Sequence, residues 1–139
     1  PKLIRNNEIA AFLARSAVKA SLDLNAKAII AATNKGRNVR ALAAYRGGKV
    51  IFAQCYEKSV MRELSLSYGV YPNFTTLSTT TEAFLCEALN DLKRKFKVKK
   101  KDRIVVLAGN FGPSHGPSFI EVSTVENLKR QCQKTTVNP

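Results

Sequence analysis

The chain is poor in the residues that carry most enzyme chemistry. It has one histidine, His115, and three cysteines, Cys55, Cys86 and Cys132, none in C-x-x-C spacing. One imidazole and scattered thiols do not supply a standard zinc site. An odd cysteine count argues against a disulfide framework and for a reducing compartment, with the cysteines as core residues. No serine stands in G-x-S-x-G, and no cysteine has an obvious histidine partner. The phosphate-loop pattern G-x-x-x-x-G-K-[ST] is absent, as is G-x-G-x-x-G after a strand. No apolar run approaches the roughly 20 residues that span a membrane, and no basic-then-apolar leader opens the chain. It opens on Pro1 without an initiator Met, which fits a piece of a longer protein and equally fits Met removal. Acidic residues are also scarce, 10 against 23 Lys and Arg, for a formal net charge of +13. Such an excess concentrates anions, whether nucleic acid, membrane surface or phosphorylated metabolites.

What is present suits one domain, residues 1–139, with a core over about 8–125 and a polar, fraying tail over 126–139. From Asn6 to Asn25 apolar residues recur at helical spacing, at Ile9, Leu13, Ala17, Ala20 and Leu24, widened by Ala10 and Phe12. Residues 26–33, A-K-A-I-I-A-A-T, read as a strand covered on both faces. After the turn N-K-G-R-N comes a helix through Val39, Leu42, Ala43 and Tyr45 that stops at Gly47-Gly48. Residues 50–55 form a second strand. Glu57 to Tyr68 reads as a helix with Val60, Met61, Leu64 and Tyr68 inward, stopped by Gly69. A third strand starts at Val70, and Pro72 marks it as an edge or strand end. Thr79 and Glu82 have capping-box spacing ahead of a helix carrying Phe84, Leu85, Ala88, Leu89 and Leu92. Strands at 103–108 and 118–125 complete the set. Strands alternating with helices imply βαβ units and a mostly parallel sheet. The last two strands share too short a loop for a parallel crossover and are expected to run antiparallel.

In such a sheet ligands bind beyond the carboxyl ends of the strands, where strand order reverses. Two segments qualify. The first is Thr33, Asn34, Lys35, Gly36, Arg37 and Asn38, which has the parts of a phosphate cradle. A helix N-terminus offers free N–H groups, Gly36 allows close backbone approach, and Arg37 can grip a phosphate bidentately. The plainer reading is a solvated turn that caps the helix. The second is Gly109, Asn110, Phe111, Gly112, Pro113, Ser114, His115 and Gly116, a loop longer than a hairpin needs and able to close over a ligand. Its plainer reading is a surface connection. The basic run Lys93-Arg94-Lys95, Lys97 and Lys99-Lys100-Lys101 can track a nucleic-acid backbone. Only Phe96 interleaves it, and a solvated helix end accounts for it as well.

Taken in order, these segments resemble the C-terminal domain of pyruvate kinase. Residues 26–46, A-K-A-I-I-A-A-T-N-K-G-R-N-V-R-A-L-A-A-Y-R, are similar to the family's A-I-I-x-x-T-x-S-G-R-[ST] strand and loop and the helix that ends in Y-R. S-V-M-R-E-L-S-L-S-Y-G-V-Y-P, residues 59–72, and K-K-K-D-R-I-V-V-L-A-G, residues 99–109, follow in the family's order. The resemblance implies a three-layer α/β/α fold with a five-stranded, mostly parallel sheet whose last strand is antiparallel. It implies a regulatory, effector-binding and oligomerisation domain of the glycolytic enzyme that transfers phosphate from phosphoenolpyruvate to ADP. The catalytic barrel, which uses magnesium and often potassium, is missing here, so this chain is expected to have no activity or cofactor of its own. The implied partners are a phosphorylated sugar or other anionic metabolite, the remainder of pyruvate kinase, and further copies in a cytoplasmic tetramer. No membrane or nucleic acid is expected. Thr33 to Asn38 align with the phosphate loop and Gly109 to Gly116 with the closing loop. Lys35 stands where the family has serine, and Asn38 where it has a hydroxyl residue. The alternatives are a structural domain whose effector site has decayed and a basic nucleic-acid-binding module.

Overall fold

The computed structural model describes residues 2–33, 37–45, 48–75, 80–109 and 119–137. The chain runs α1 (Lys2–Asp23), β1 (Ala28–Thr33), α2 (Arg37–Ala44), β2 (Val50–Cys55), α3 (Lys58–Leu64), β3 (Val70–Phe74), α4 (Thr81–Lys95), β4 (Arg103–Ala108), β5 (Phe119–Thr124) and α5 (Val125–Val137). The five strands form one sheet in the order β3-β2-β1-β4-β5. β1 pairs in parallel with both β2 and β4, and β2 with β3. β4 and β5 are antiparallel, as their short connection requires. Pro72 lies in β3 at the sheet edge, where a missing N–H is tolerated.

Period-two alternation explains the three layers. Ile29 and Ala31 of β1, Ile51 and Ala53 of β2, and Val105 and Leu107 of β4 face one side. There they pack with Ala14, Ala17 and Val18 of α1, Val39 and Leu42 of α2, and Val60 and Leu64 of α3. Ala28, Ile30, Phe52, Ile104 and Val106 face the other side, against Phe84, Leu85, Leu89 and Leu92 of α4 and Val125 and Leu128 of α5. The central strands are apolar at nearly every position because both of their faces are covered.

Several local expectations change. The buried stripe of α1 is Ala14, Ala17, Val18 and Ser21, whereas Ile9 and Phe12 are 50% and 59% exposed. Small residues let α1 lie close to the sheet and turn its larger apolar groups outward. α3 stops at Leu64, so Tyr68 falls in the following turn and is 85% exposed. Gly69 adopts φ +76 in the turn that leads into β3 rather than at the helix end. Its carbonyl accepts from the N–H of Ile51, and a side chain there would be strained. The cap of α4 is Thr80, whose Oγ1 accepts from the Ala83 N–H at 3.1 Å. Thr79 lies outside the described residues.

The largest correction concerns the end of the chain. The segment read as a polar tail forms α5, which covers the sheet with buried Val125 and Leu128. It is also cross-linked. Cys86 of α4 and Cys132 of α5 form a disulfide with Cα atoms 5.3 Å apart, within the ordinary range. Only Cys55 is a free, buried core cysteine. Without the helical reading of the tail, the two cysteines have no visible reason to meet. A link between residues 46 apart stabilises by about 4 kcal/mol on loop-closure entropy. Reduction with dithiothreitol, or Cys132→Ser, is therefore expected to lower Tm by about 5–15 °C in a thermal scan. An unchanged Tm would show that the link contributes nothing.

Candidate functional site

The strand order reverses between β1 and β4. From β1 the chain winds outward to β2 and β3 on one side, then crosses to β4 and β5 on the other. This is the switch point at which open α/β sheets form a crevice beyond their strand ends. β1 ends there at Thr33, which is buried beside Cys55 of β2. The register Ala28↔Ile104 through Ala31↔Leu107 continues to place Thr33 abreast of Gly109. The two segments picked from sequence thus leave adjacent strand ends on the same edge of the sheet.

α2 opens at Arg37 and is fixed by its buried Val39 and Leu42. α2 starts four residues after β1 ends, and a helix N-terminus favours an anion. One turn further along, the Arg40 Nη2 lies 2.6 Å from Glu63 Oε2 of α3. Of the expected site, Thr33 and Gly109 are placed by the sheet, and the backbone of Arg37 and Asn38 by α2. Asn34, Lys35 and Gly36 lie outside the described residues, as do Asn110, Phe111, Gly112, Pro113, Ser114, His115 and Gly116.

The same edge carries groups that the sequence did not reveal. Tyr56 follows β2, and its buried hydroxyl finds no hydrogen-bond partner among the described residues. Burial, and then the negative charges of Glu87 and Cys55, push its pKa up to about 12. It therefore stays a neutral donor at physiological pH. Glu87 itself accepts from the Thr75 hydroxyl. Burial raises the Cys55 thiol to about 11, against a backbone hydrogen bond at Asn73 that lowers it. Such a thiol is inert at neutral pH.

Below this rim a polar network ties α4 to the sheet. Asp91 is buried, and its Oδ2 accepts from Asn73 Nδ2 at 2.8 Å and Gln54 Nε2 at 3.3 Å. Asn73 Nδ2 also donates to Gln54 Oε1 at 2.8 Å, and Arg94 pairs with the other Asp91 oxygen. Gln54 and Asp91 each interrupt an apolar pattern, and that is the only trace they leave in the sequence.

Part of the basic run is committed to partners within the domain. Arg94 is taken by Asp91. Lys95 Nζ donates to Asn73 Oδ1 at 3.2 Å and sits over the Phe52 ring. Phe96 packs edge-to-face with Tyr71, centroids 4.9 Å apart, rather than offering a stacking platform. Lys93 and Lys100 turn toward α5. Among the described residues no group of three His, Cys, Asp or Glu is arranged to hold a metal ion, and no helix is long and apolar enough to cross a membrane.

Comparison with known proteins decides the family. The family described as pyruvate kinase, alpha/beta domain, matches residues 12–123. The chain belongs to the pyruvate kinase α/β domain family. A pyruvate kinase from Borreliella burgdorferi is 34% identical over 120 residues, 84% of this chain and 25% of that protein. One from Lactobacillus delbrueckii subsp. bulgaricus is 26% identical over 128 residues, 91% of this chain and 22% of that protein. A solved pyruvate kinase from Cryptosporidium parvum superposes with a TM-score of 0.74 at 24% identity, over 84% of this chain and 23% of that one, which bears on the fold. The chain thus spans about a quarter of the pyruvate kinases it matches and corresponds to their C-terminal domain. The expected fold, a five-stranded sheet with an antiparallel last strand between helical layers, is the one observed.

In this pyruvate kinase domain the buried network is open to a direct test. Asp91→Ala strands the fully buried Gln54 amide and is expected to cost about 1–3 kcal/mol, read as a lower midpoint in urea with an unchanged slope. Loss of less than a few tenths of that would show that Asp91 is replaceable by water.

Proposed function

We propose that this chain is the regulatory domain of a pyruvate kinase, the enzyme that transfers phosphate from phosphoenolpyruvate to ADP. In this reading it binds a phosphorylated metabolite, a sugar phosphate or related anion, at the β1–β4 switch point. The supporting observation is that the ends of β1 and β4, at Thr33 and Gly109, lie side by side where the strand order reverses, with α2 starting at Arg37. Thr33 to Asn38 would hold the phosphate, with Arg37 as its bidentate partner. Gly109 to Gly116 would cover it.

Phosphoryl transfer, with its magnesium and potassium, would belong to the remainder of the enzyme, the domain's covalent partner. The isolated chain would then transfer no phosphate. Assembly into a cytoplasmic tetramer gives the site its regulatory use. An effector that prefers one arrangement of subunits shifts the population by that difference in affinity, and by no more. β5 at the sheet edge and the outward Ile9 and Phe12 of α1 supply surface for such contacts. A reducing cytoplasm would hold Cys86 and Cys132 partly as thiols.

The test is thermal-shift titration of the 139-residue chain with sugar monophosphates and bisphosphates, AMP and plain phosphate against a salt-matched blank. A ligand at a hundred times its Kd adds about 2.7 kcal/mol, and Arg37→Ala is expected to abolish that gain while leaving the unliganded Tm near its original value. Equal affinity in Arg37→Ala would contradict the site. No response to any ligand would favour a purely structural, oligomerising domain.

A further inference from the structure

A second charged cleft lies at the opposite edge of the sheet. β4 begins where β5 ends, with Arg103 opposite Thr124. The connection before β4, the last turns of α4 and the first turns of α5 meet there around a cleft of about 260 Å³. Its charged lining is Lys93 of α4, Lys100 of the connection, and Glu126, Lys129 and Arg130 of α5. Val98 and Val125 supply its apolar part. The one carboxylate is engaged, since Arg130 Nη2 lies 3.0 Å from Glu126 Oε1. With Arg130 and Glu126 paired, three lysines, Lys93, Lys100 and Lys129, share a small, partly enclosed space with no carboxylate of their own.

Two further observations bear on what fills it. Lys93 has its pKa lowered, first by burial and then by the positive charge of Lys129. Charged lysines this close are unfavourable without an anion between them. In the disulfide form, the Cys86–Cys132 link, seven residues before Lys93 and three after Lys129, also holds α4 to α5. The end of α5 is not itself the attraction. Its Val125 and Glu126 N–H groups already donate to the carbonyls of Asp102 and Lys100, and the Asn127 N–H to Thr124 Oγ1. Side-chain charge is what the cleft offers.

We propose that the α4–α5 cleft is a second anion site that takes a compact phosphorylated small molecule, separate from the switch-point crevice. Its volume lies just below the usual range for ligand pockets, about 300–1,000 Å³, which suits a phosphate group with a short carbon skeleton. A nucleic-acid backbone needs a continuous basic track, and Arg94, Lys95 and Phe96 are turned to other partners.

The experiment is an amide NMR titration of the full 139-residue chain with inorganic phosphate, glycerol 3-phosphate and a short single-stranded oligonucleotide, each at constant ionic strength. Saturable shifts are expected at Lys93, Lys100 and Val125–Arg130 with the two small anions. The double variant Lys93→Gln, Lys129→Gln is expected to weaken them by about tenfold or more, from the loss of two charge-assisted contacts. Lys19→Gln removes an exposed charge on α1 and is expected to leave them unchanged. The spectra themselves report whether each variant is folded. The proposal is overturned by shifts that never saturate, by shifts confined to Thr33–Asn38 and Gly109, by equal affinity in the double variant, or by tighter binding of the oligonucleotide. Failure at the switch point with success here, or the reverse, is read directly from which amides move.

Discussion

Strand β1 is the constraint on which the molecule depends. It is buried on both faces and paired on both edges, with β2 on one side and β4 on the other. A strand in that position must be apolar throughout, and Ala28–Thr33 is, apart from its last residue. Because the strand order reverses at β1, with β2 on one side and β4 on the other, the ends of β1 and β4 lie where open α/β sheets form a crevice. The apolar run that makes β1 central thus also puts Thr33 at the mouth of that crevice. Core and candidate site are consequences of one placement.

Much of this was legible in the residues. Continuous apolar strands alternating with helices and a short final connection imply a mostly parallel sheet with one antiparallel pair, and Pro72 implies an edge or a strand end. Side-chain direction on helices was less legible. Ile9 and Phe12 belong to the apolar stripe of α1 by spacing, yet Ala14, Ala17 and Val18 form its buried face. Periodicity fixes a helix and does not say which part of a broad stripe is inward. α5 leaves little trace in the sequence, because only Val125 and Leu128 of its described side chains are buried and the rest are polar, like a tail. With α5 missing, the meeting of Cys86 and Cys132 had no basis in the sequence. The polar network at Asp91 is long-range by nature: Gln54, Asn73 and Asp91 come from three elements.

The positive charge gains meaning only when it is placed. Arg40, Arg94 and Arg130 each answer a carboxylate, so they contribute local structure more than field. Lys93, Lys100 and Lys129 gather at one end of the α4–α5 seam, and Thr33 at the end of β1 lies at the other end of the sheet. If both proposed sites bind anions, the sheet between them is too well packed to deform continuously. Coupling between such sites would have to pass through the helical layers or through contacts with neighbouring subunits.

Hydrogen–deuterium exchange of the 139-residue chain, with and without a saturating sugar phosphate, tests the switch-point account most directly. Slowed exchange is expected in residues 33–40 and 109–117, which follow the ends of β1 and β4, with β2 and β3 unchanged. Protection absent from both segments while the ligand is bound would contradict it.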